Sequence, residues 1–238
     1  MGGDVLSRDD SRALAQRAYK SMLTFAATPF LPYAERVADL SYVLIQRYVD
    51  QSIRSAKTQG CLFHDVENSW HVGLLHAVIL GTNITFEDVM DVANMEVAGH
   101  VVSLTPDHRL PYPRRTQLLY NGLHAAADML KLVKLAERTV CILTWLGLLQ
   151  QQATLPHMRA QCNQLVNEMD LLERLLVPVR PQVAQSELTW CMEAVSVLSE
   201  CARKPESRVV KLGELRAYPI AIPATRWLEQ RGGRKRKS

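Results

Sequence analysis

The chain has 238 residues, of which 47% are hydrophobic and 6% aromatic, and a formal net charge of +4 at pH 7. This length and apolar share exclude a disordered chain and predict one sizeable core of the kind that helical proteins build. No apolar run reaches the ~20 residues that a helix needs to cross a bilayer, so we expect no membrane span.

Apolar periodicity, interrupted by proline and glycine, predicts an all-helical chain with no strand and no internal repeat. The Thr85-Phe86-Glu87-Asp88 stretch has the form of a capping box, so a helix is expected to begin there. A polar loop with three prolines follows at 103–115. The predicted helices cover roughly residues 10–26, 33–58, 65–80, a stretch from 85 onward, 115–127, 128–151, 157–176 and 183–204.

Basic charge is concentrated at the C-terminal end. Residues 205–238 contain nine Lys or Arg against three Glu, and they end in RGGRKRKS. We therefore divide the chain into a helical domain, 1–204, and an extended basic tail, 205–238. The tail is a candidate RNA-binding segment on charge grounds, and a solvated end without a partner is the alternative. The basic residues at its end are Arg231, Arg234, Lys235, Arg236 and Lys237.

Cysteine usage predicts the compartment only coarsely. Five cysteines show no C-x-x-C spacing, which favours reduced thiols over a disulfide framework and therefore an intracellular protein. The sequence does not decide between cytoplasm, mitochondrion and nucleus.

Several phrases carry a family resemblance that covers roughly residues 10–200. LLHAVILGTNITFEDV is followed by EVAGHVVSLTPDHRLP, by the basic pair at 114 and 115, and by LKLVKLAERTVCI at 130–142. Their order and spacing resemble the HD-domain (p)ppGpp hydrolases of the RelA/SpoT type, in particular the small metazoan SpoT homologues. The resemblance implies an HD-domain helical bundle, whereas periodicity alone predicts only an all-α domain.

The family holds a divalent metal ion on an adjacent His-Asp pair, and the chain offers two places for that pair. In the family the pair leads into a TNITxED phrase, and here His76-Ala77 does so, which makes His76 the corresponding histidine. His64-Asp65 lies earlier, and we interpret it as accidental or as a helix cap, since Asp65 can accept a backbone N–H in the first turn.

Most of the family's catalytic positions hold residues that are unsuited to that chemistry. Arginine cannot lose a proton to bind a metal, alanine offers no oxygen, and leucine and glycine transfer no proton. The matching positions are Arg36 for the first metal histidine, Ala77 for the aspartate, Leu80 and Gly81 for the two acids that manage the attacking water, Glu137 for the distal aspartate and Cys141 for a later asparagine.

We therefore predict a catalytically inactive HD domain with no cofactor. His76 and Glu137 cannot hold Mn²⁺ alone, because such an ion wants about six O and N donors. We expect Arg36 to form a structural ion pair with Glu137 beside His76. The favoured function is that of a structural or interaction subunit, which binds protein partners in a larger assembly with RNA as a further candidate partner.

Two other functions stay open. A nucleotide-binding module would still bind its ligand in the pocket that corresponds to the family's active site, with Arg36 donating two hydrogen bonds to a phosphate. An active hydrolase of (p)ppGpp or a related nucleotide would need Mn²⁺, for which His64, Asp65, His71 and His76 offer a relocated site. The competing interpretation places His71 at the surface beside Trp70.

Overall fold

The computed structural model describes residues 7–24, 27–54, 63–80, 82–150, 158–179, 185–203 and residue 215. Within these ranges the chain forms nine helices and no strand, and a lone β-bridge joins Leu23 to Pro29. The all-α fold that the sequence predicts is thus confirmed. The helices are α1 (Arg8–Ala18), α2 (Phe30–Arg54), α3 (Phe63–Leu75), α4 (Phe86–Val92), α5 (Met95–Leu104), α6 (Tyr112–His124), α7 (Asp128–Gln150), α8 (Met158–Leu176) and α9 (Gln185–Arg203).

The α2–α3 pair makes the most extensive helix contact in the described part of the chain, and α7 packs against both helices. A glycine permits the close approach. A Cβ added to Gly73 would lie 2.8 Å from the Cα of Ala38 and 2.9 Å from Ser41 Oγ. Only a residue without a side chain fits there, so this glycine fixes how closely α3 lies on α2.

Side-chain caps define the start of α4 and the start of α5. The predicted capping box is present: the Thr85 hydroxyl accepts from the Asp88 N–H at 3.3 Å, and the Asp88 carboxylate accepts from the Thr85 N–H at 2.8 Å. A second helix start follows at once, because Asn94 accepts from the Val97 N–H at 2.7 Å. The stretch predicted to begin at Thr85 is therefore two helices.

The α3 helix ends at Leu75 instead of near residue 80. Beyond Leu75 the chain turns, with the Val78 N–H donating to the Leu75 carbonyl at 2.9 Å and the Leu80 N–H to the Ala77 carbonyl at 3.0 Å. The His76 ring lies against the helix end, with Nδ1 2.7 Å from the Gly73 carbonyl oxygen. The turn after α3 thus begins at the histidine of the family phrase.

The proposed boundary between helical domain and tail stays a prediction. Leu215 is half-buried and packs against the core, but the basic residues at the C-terminal end lie outside the described residues. No helix in the described ranges has both the length and the apolar character that crossing a membrane requires.

Candidate functional site

A cavity of about 350 Å³ lies between the turn after α3 and helices α2, α6, α7 and α8. It collects most of the positions that the sequence singled out. Arg36 is not among the described residues that line the cavity, and Gly81 lies outside the described residues. The sequence-predicted residues that line the cavity are His76, Ala77, Leu80, Glu137 and Cys141.

Two carboxylates and two cations form a closed network in the cavity wall. Lys134 Nζ donates to Glu137 at 2.7 Å, and Arg138 donates to the same carboxylate through Nε at 2.9 Å and through Nη2. Arg138 Nη1 also donates to Glu168 at 2.8 Å, and the Tyr112 hydroxyl donates to Glu168 as well. We call these four charged side chains, Lys134, Glu137, Arg138 and Glu168, the charged quartet.

The prediction of an ion pair between Arg36 and Glu137 is wrong. The carboxylate is paired instead with Lys134, one helical turn earlier on α7, and with its chain neighbour Arg138. These two cations reach Glu137 from the same helix, whereas Arg36 belongs to α2. Burial lowers the pKa of the Arg36 guanidinium, and the nearby Tyr33 works in the opposite direction.

Glu137 and Arg138 of the quartet hold each other in the charged form. Burial alone would raise the pKa of Glu137, but Arg138 and Lys134 together hold it well below its usual value. Burial likewise works against the charged form of Arg138, yet Glu137 and Glu168 raise its pKa well above the usual range. Glu137 and Arg138 therefore form a true ion pair at neutral pH.

His76 and Cys141, which also line the cavity, are neutral. Burial lowers the pKa of His76, and the 2.7 Å contact with the Gly73 carbonyl places the ring proton on Nδ1. Burial raises the pKa of the Cys141 thiol to about 12, so it is not a thiolate at neutral pH. Cys141 is therefore no thiolate ligand, and His76 is a neutral imidazole with its lone pair on Nε2.

The residues present do not fit a divalent metal ion. His76 offers one nitrogen, Ala77 offers no side-chain donor, and the Glu137 carboxylate already accepts from two cations. Within the described ranges, no group of three or more His, Cys, Asp or Glu side chains is arranged to hold a metal ion. A hard ion such as Mn²⁺ would lack both the number of donors and the local negative charge that it needs.

The relocated metal site suggested by four nearby residues is not formed in the described structure. His64 lies 3.4 Å from Glu96 on α5, whereas His71 faces α1, with Nδ1 2.8 Å from Ser11 Oγ. The placement of His71 at the surface is wrong, since the side chain is fully buried although its ring does touch Trp70. Periodicity missed this because α1, which covers His71, comes from a distant part of the chain.

Sequence reasoning missed several residues of the site. Lys134 and Arg138 lie three residues before and one residue after Glu137, and the i,i+3 spacing on a helix was a readable signal for the first of them. Glu168 and Tyr112 come from other helices, and no local pattern marks them. Arg115, which also lines the cavity, was noted only as part of a basic pair.

Comparisons with known proteins support the fold. No family model and no curated protein matches the chain. Among solved structures, the chain is similar to one described as a metazoan ortholog of SpoT that hydrolyzes ppGpp and plays a role in starvation responses. The two are 20% identical with a TM-score of 0.51, and the match covers 81% of this chain and 96% of the other. The chain therefore has the helical HD-type fold that its sequence predicts.

Proposed function

We propose that the chain is a non-catalytic protein of HD-type fold that acts as a structural or interaction subunit of a larger assembly. The observation that supports this most is the state of Glu137. Its carboxylate, the one acidic group left at the expected metal positions, is paired with Lys134 and Arg138. Ala77 follows His76 where the family has an aspartate, so that position supplies no second carboxylate for a metal ion.

Electrostatics explains why this arrangement opposes metal-dependent hydrolysis. A divalent cation beside Glu137 would displace two hydrogen-bonded cations or lie close to them, and like charges in a buried site repel strongly. The attacking water would also lack a base, because Leu80 is apolar and lines the cavity where the family has an acid. Binding and catalysis would both suffer.

The first test measures metal content and hydrolysis on the full chain. Elemental analysis after purification without chelator is expected to find no stoichiometric transition metal. Phosphate release from ppGpp with added Mn²⁺ is expected to stay at the blank level, with the metazoan SpoT ortholog as the active control. One equivalent of retained metal, or Mn²⁺-dependent release, would show that the chain is an active hydrolase.

A second test concerns partners. Affinity purification would compare the full chain, a chain that ends at Lys204, and a full chain with its basic end neutralised by Arg→Gln and Lys→Gln changes at 231, 234, 235, 236 and 237. If the tail binds RNA, both variants lose it, and binding by the full chain weakens as salt rises. Protein partners that remain with the neutralised chain but not with the truncated one would bind the uncharged part of the tail. A partner set unchanged in both variants would assign binding to the helical domain.

The cavity supports a second candidate function, that of a nucleotide-binding module. A volume of about 350 Å³ lies within the range of small-molecule sites. Thermal unfolding with a panel of nucleotides tests it, because a ligand that binds only the native state raises the midpoint by mass action. A midpoint shift without phosphate release would favour this candidate over the interaction subunit.

A further inference from the structure

We propose that the cavity binds a small molecule that carries one anionic group on an apolar body, with the anion held at Arg115. This inference rests on the proposed function, because it assumes that no metal ion and no pyrophosphate chemistry operate at the charged quartet. It differs from the nucleotide candidate in the class of ligand and in the residue that holds the anion.

The charged quartet leaves no cation to receive a phosphate chain. Lys134 is committed to Glu137, and Arg138 is divided between Glu137 and Glu168. Two positive charges face two negative ones, so this part of the wall is neutral as a whole. A ligand that places a pyrophosphate here would have to break buried ion pairs, which is costly.

Arg115 is the cation of the cavity wall that lies outside this network. Its Nη1 donates to Nδ1 of His108 at 3.0 Å, and its guanidinium stacks on the Tyr112 ring, 5.4 Å from the centroid. In the described ranges no Asp or Glu forms an ion pair with it. Burial and the neighbouring Arg115 lower the pKa of His108, so the His108 ring is neutral at pH 7. The neutral ring supplies no negative charge to Arg115, but its hydrogen bond fixes the position of the guanidinium. A pre-positioned arginine without a counter-ion suits a carboxylate or a phosphate monoester.

The rest of the wall suits an apolar group. Met22 and Leu23, in the α1–α2 connection, line the cavity together with Leu119 of α6 and Leu165 of α8. Leu23 is 59% exposed, a large apolar side chain left open to solvent at the site. Covering it with an apolar ligand body would remove that surface from water, which is favourable in proportion to the area buried.

The experiment titrates the full chain with three probes that share one ring. Phenyl phosphate and 3-phenylpropionate represent the two sources of the anion, and 3-phenylpropan-1-ol is the uncharged match. Binding is measured by calorimetry or by saturation-transfer NMR. We expect one or both anionic probes to bind at least about tenfold more tightly than the alcohol, since a charge-assisted contact at a half-buried site is worth that much.

Two neighbouring arginines give a matched pair of variants. Arg115→Gln is expected to raise the Kd of the anionic probes about tenfold and to leave the alcohol unchanged. Arg114→Gln removes an exposed charge from the adjacent position, which does not line the cavity, and is expected to leave all three probes unchanged. Arg115→Lys keeps the positive charge but not the bidentate guanidinium, so its Kd for the anionic probes should lie between those of the two glutamine variants.

Leu23→Ser tests the apolar contact separately. It should weaken the binding of every ringed probe, and the variant should fold normally because Leu23 is exposed.

Each outcome decides the proposal. It is overturned if no anionic probe binds, if the alcohol binds equally well, if Arg115→Gln changes nothing, or if inorganic pyrophosphate binds more tightly than either ringed anion. None of these results bears on phosphate release from ppGpp, which alone overturns the non-catalytic function. The two proposals can therefore fail separately.

Discussion

Two of the places where the protein buries polar groups provide their partners by different means. Between α1 and α3, Ser11 and His71 are both fully buried and form a neutral pair at 2.8 Å. At the cavity, Glu137 is also buried, but it is surrounded by charged partners. A neutral pair avoids the cost of burying ions but becomes unstable when a proton is added, whereas a balanced ionic network tolerates pH but not the loss of one member.

The largest expected effect comes from unbalancing the charged quartet. Glu137→Gln leaves Lys134 and Arg138 against a single carboxylate, Glu168, and we expect a loss of about 3–5 kcal/mol in the free energy of unfolding. Denaturant titration of the wild-type chain and the variant measures the difference.

A second change in the same network serves as the control. Glu137→Gln combined with Lys134→Met restores equal numbers of positive and negative charges, so the double variant should recover part of the lost stability. A Glu137→Gln chain as stable as wild type would mean that the quartet does not contribute through charge balance.

The next effect is a dependence of stability on pH that originates at His71. Burial, with Arg8 adding to it, lowers the pKa of His71 from 6.5 to about 4 in the folded chain. The unfolded chain therefore binds the proton first, and the contribution of His71 is complete above pH 6.5 and is lost as pH falls towards 4. The expected loss by pH 5 is about 2 kcal/mol relative to pH 7.5.

The control for this effect is His71→Asn. Its amide can still bond to Ser11 but does not take up a proton. The variant should lose less stability on acidification than wild type, and parallel pH profiles for the two chains would exclude His71 as the source.

A smaller effect is expected when the neutral pair loses its hydroxyl. Ser11→Ala leaves a buried ring nitrogen of His71 without its partner and should cost about 1–2 kcal/mol. Ser103 offers a matched control, because its hydroxyl bonds to the Gly99 carbonyl at an exposed position. Ser103→Ala should change unfolding by less than about 0.5 kcal/mol, and equal effects at the two serines would contradict the role of burial.

The smallest effect is expected at the rim of the same contact. Arg8 and Glu67 form a 2.9 Å ion pair whose side chains are 41% and 50% exposed. Glu67→Gln should therefore cost less than about 1 kcal/mol. Because Glu67 raises the pKa of His71, its removal should lower that pKa further and slightly enlarge the loss of stability on acidification. If Glu67→Gln lost as much free energy of unfolding as Glu137→Gln, exposed and buried ion pairs would not differ in this protein as we expect.

Most of the fold could be predicted from local signals, and the errors have local causes. The capping box at Thr85 was legible because all its parts lie within four residues. The second helix was predicted to begin near residue 33, yet α2 begins at Phe30, since a proline in the first turn lacks only an N–H that has no helical partner. The third helix was predicted to end near residue 80, because no local signal marks the turn that begins at His76.

The candidate site was predictable in position but not in its partners. The family phrases singled out His76, Ala77, Leu80, Glu137 and Cys141, and these five residues line one cavity. The predicted pairing of Glu137 with Arg36 was wrong because the sequence does not tell which of several nearby cations binds the carboxylate. The cations that do so lie on α7, the helix of Glu137 itself. Which side of α3 is covered by α1 depends on tertiary packing, so the burial of His71 could not be inferred from periodicity.

The bond between the His76 ring and the Gly73 carbonyl changes how a mutational scan of this region is interpreted. Any replacement of that histidine removes a donor from the last turn of a helix whose backbone lies directly on its neighbour. Intolerance at this position would then measure how well the helix end is held in place. A histidine at this position holds the helix end in place, and its indispensability in cells would be no sign of turnover.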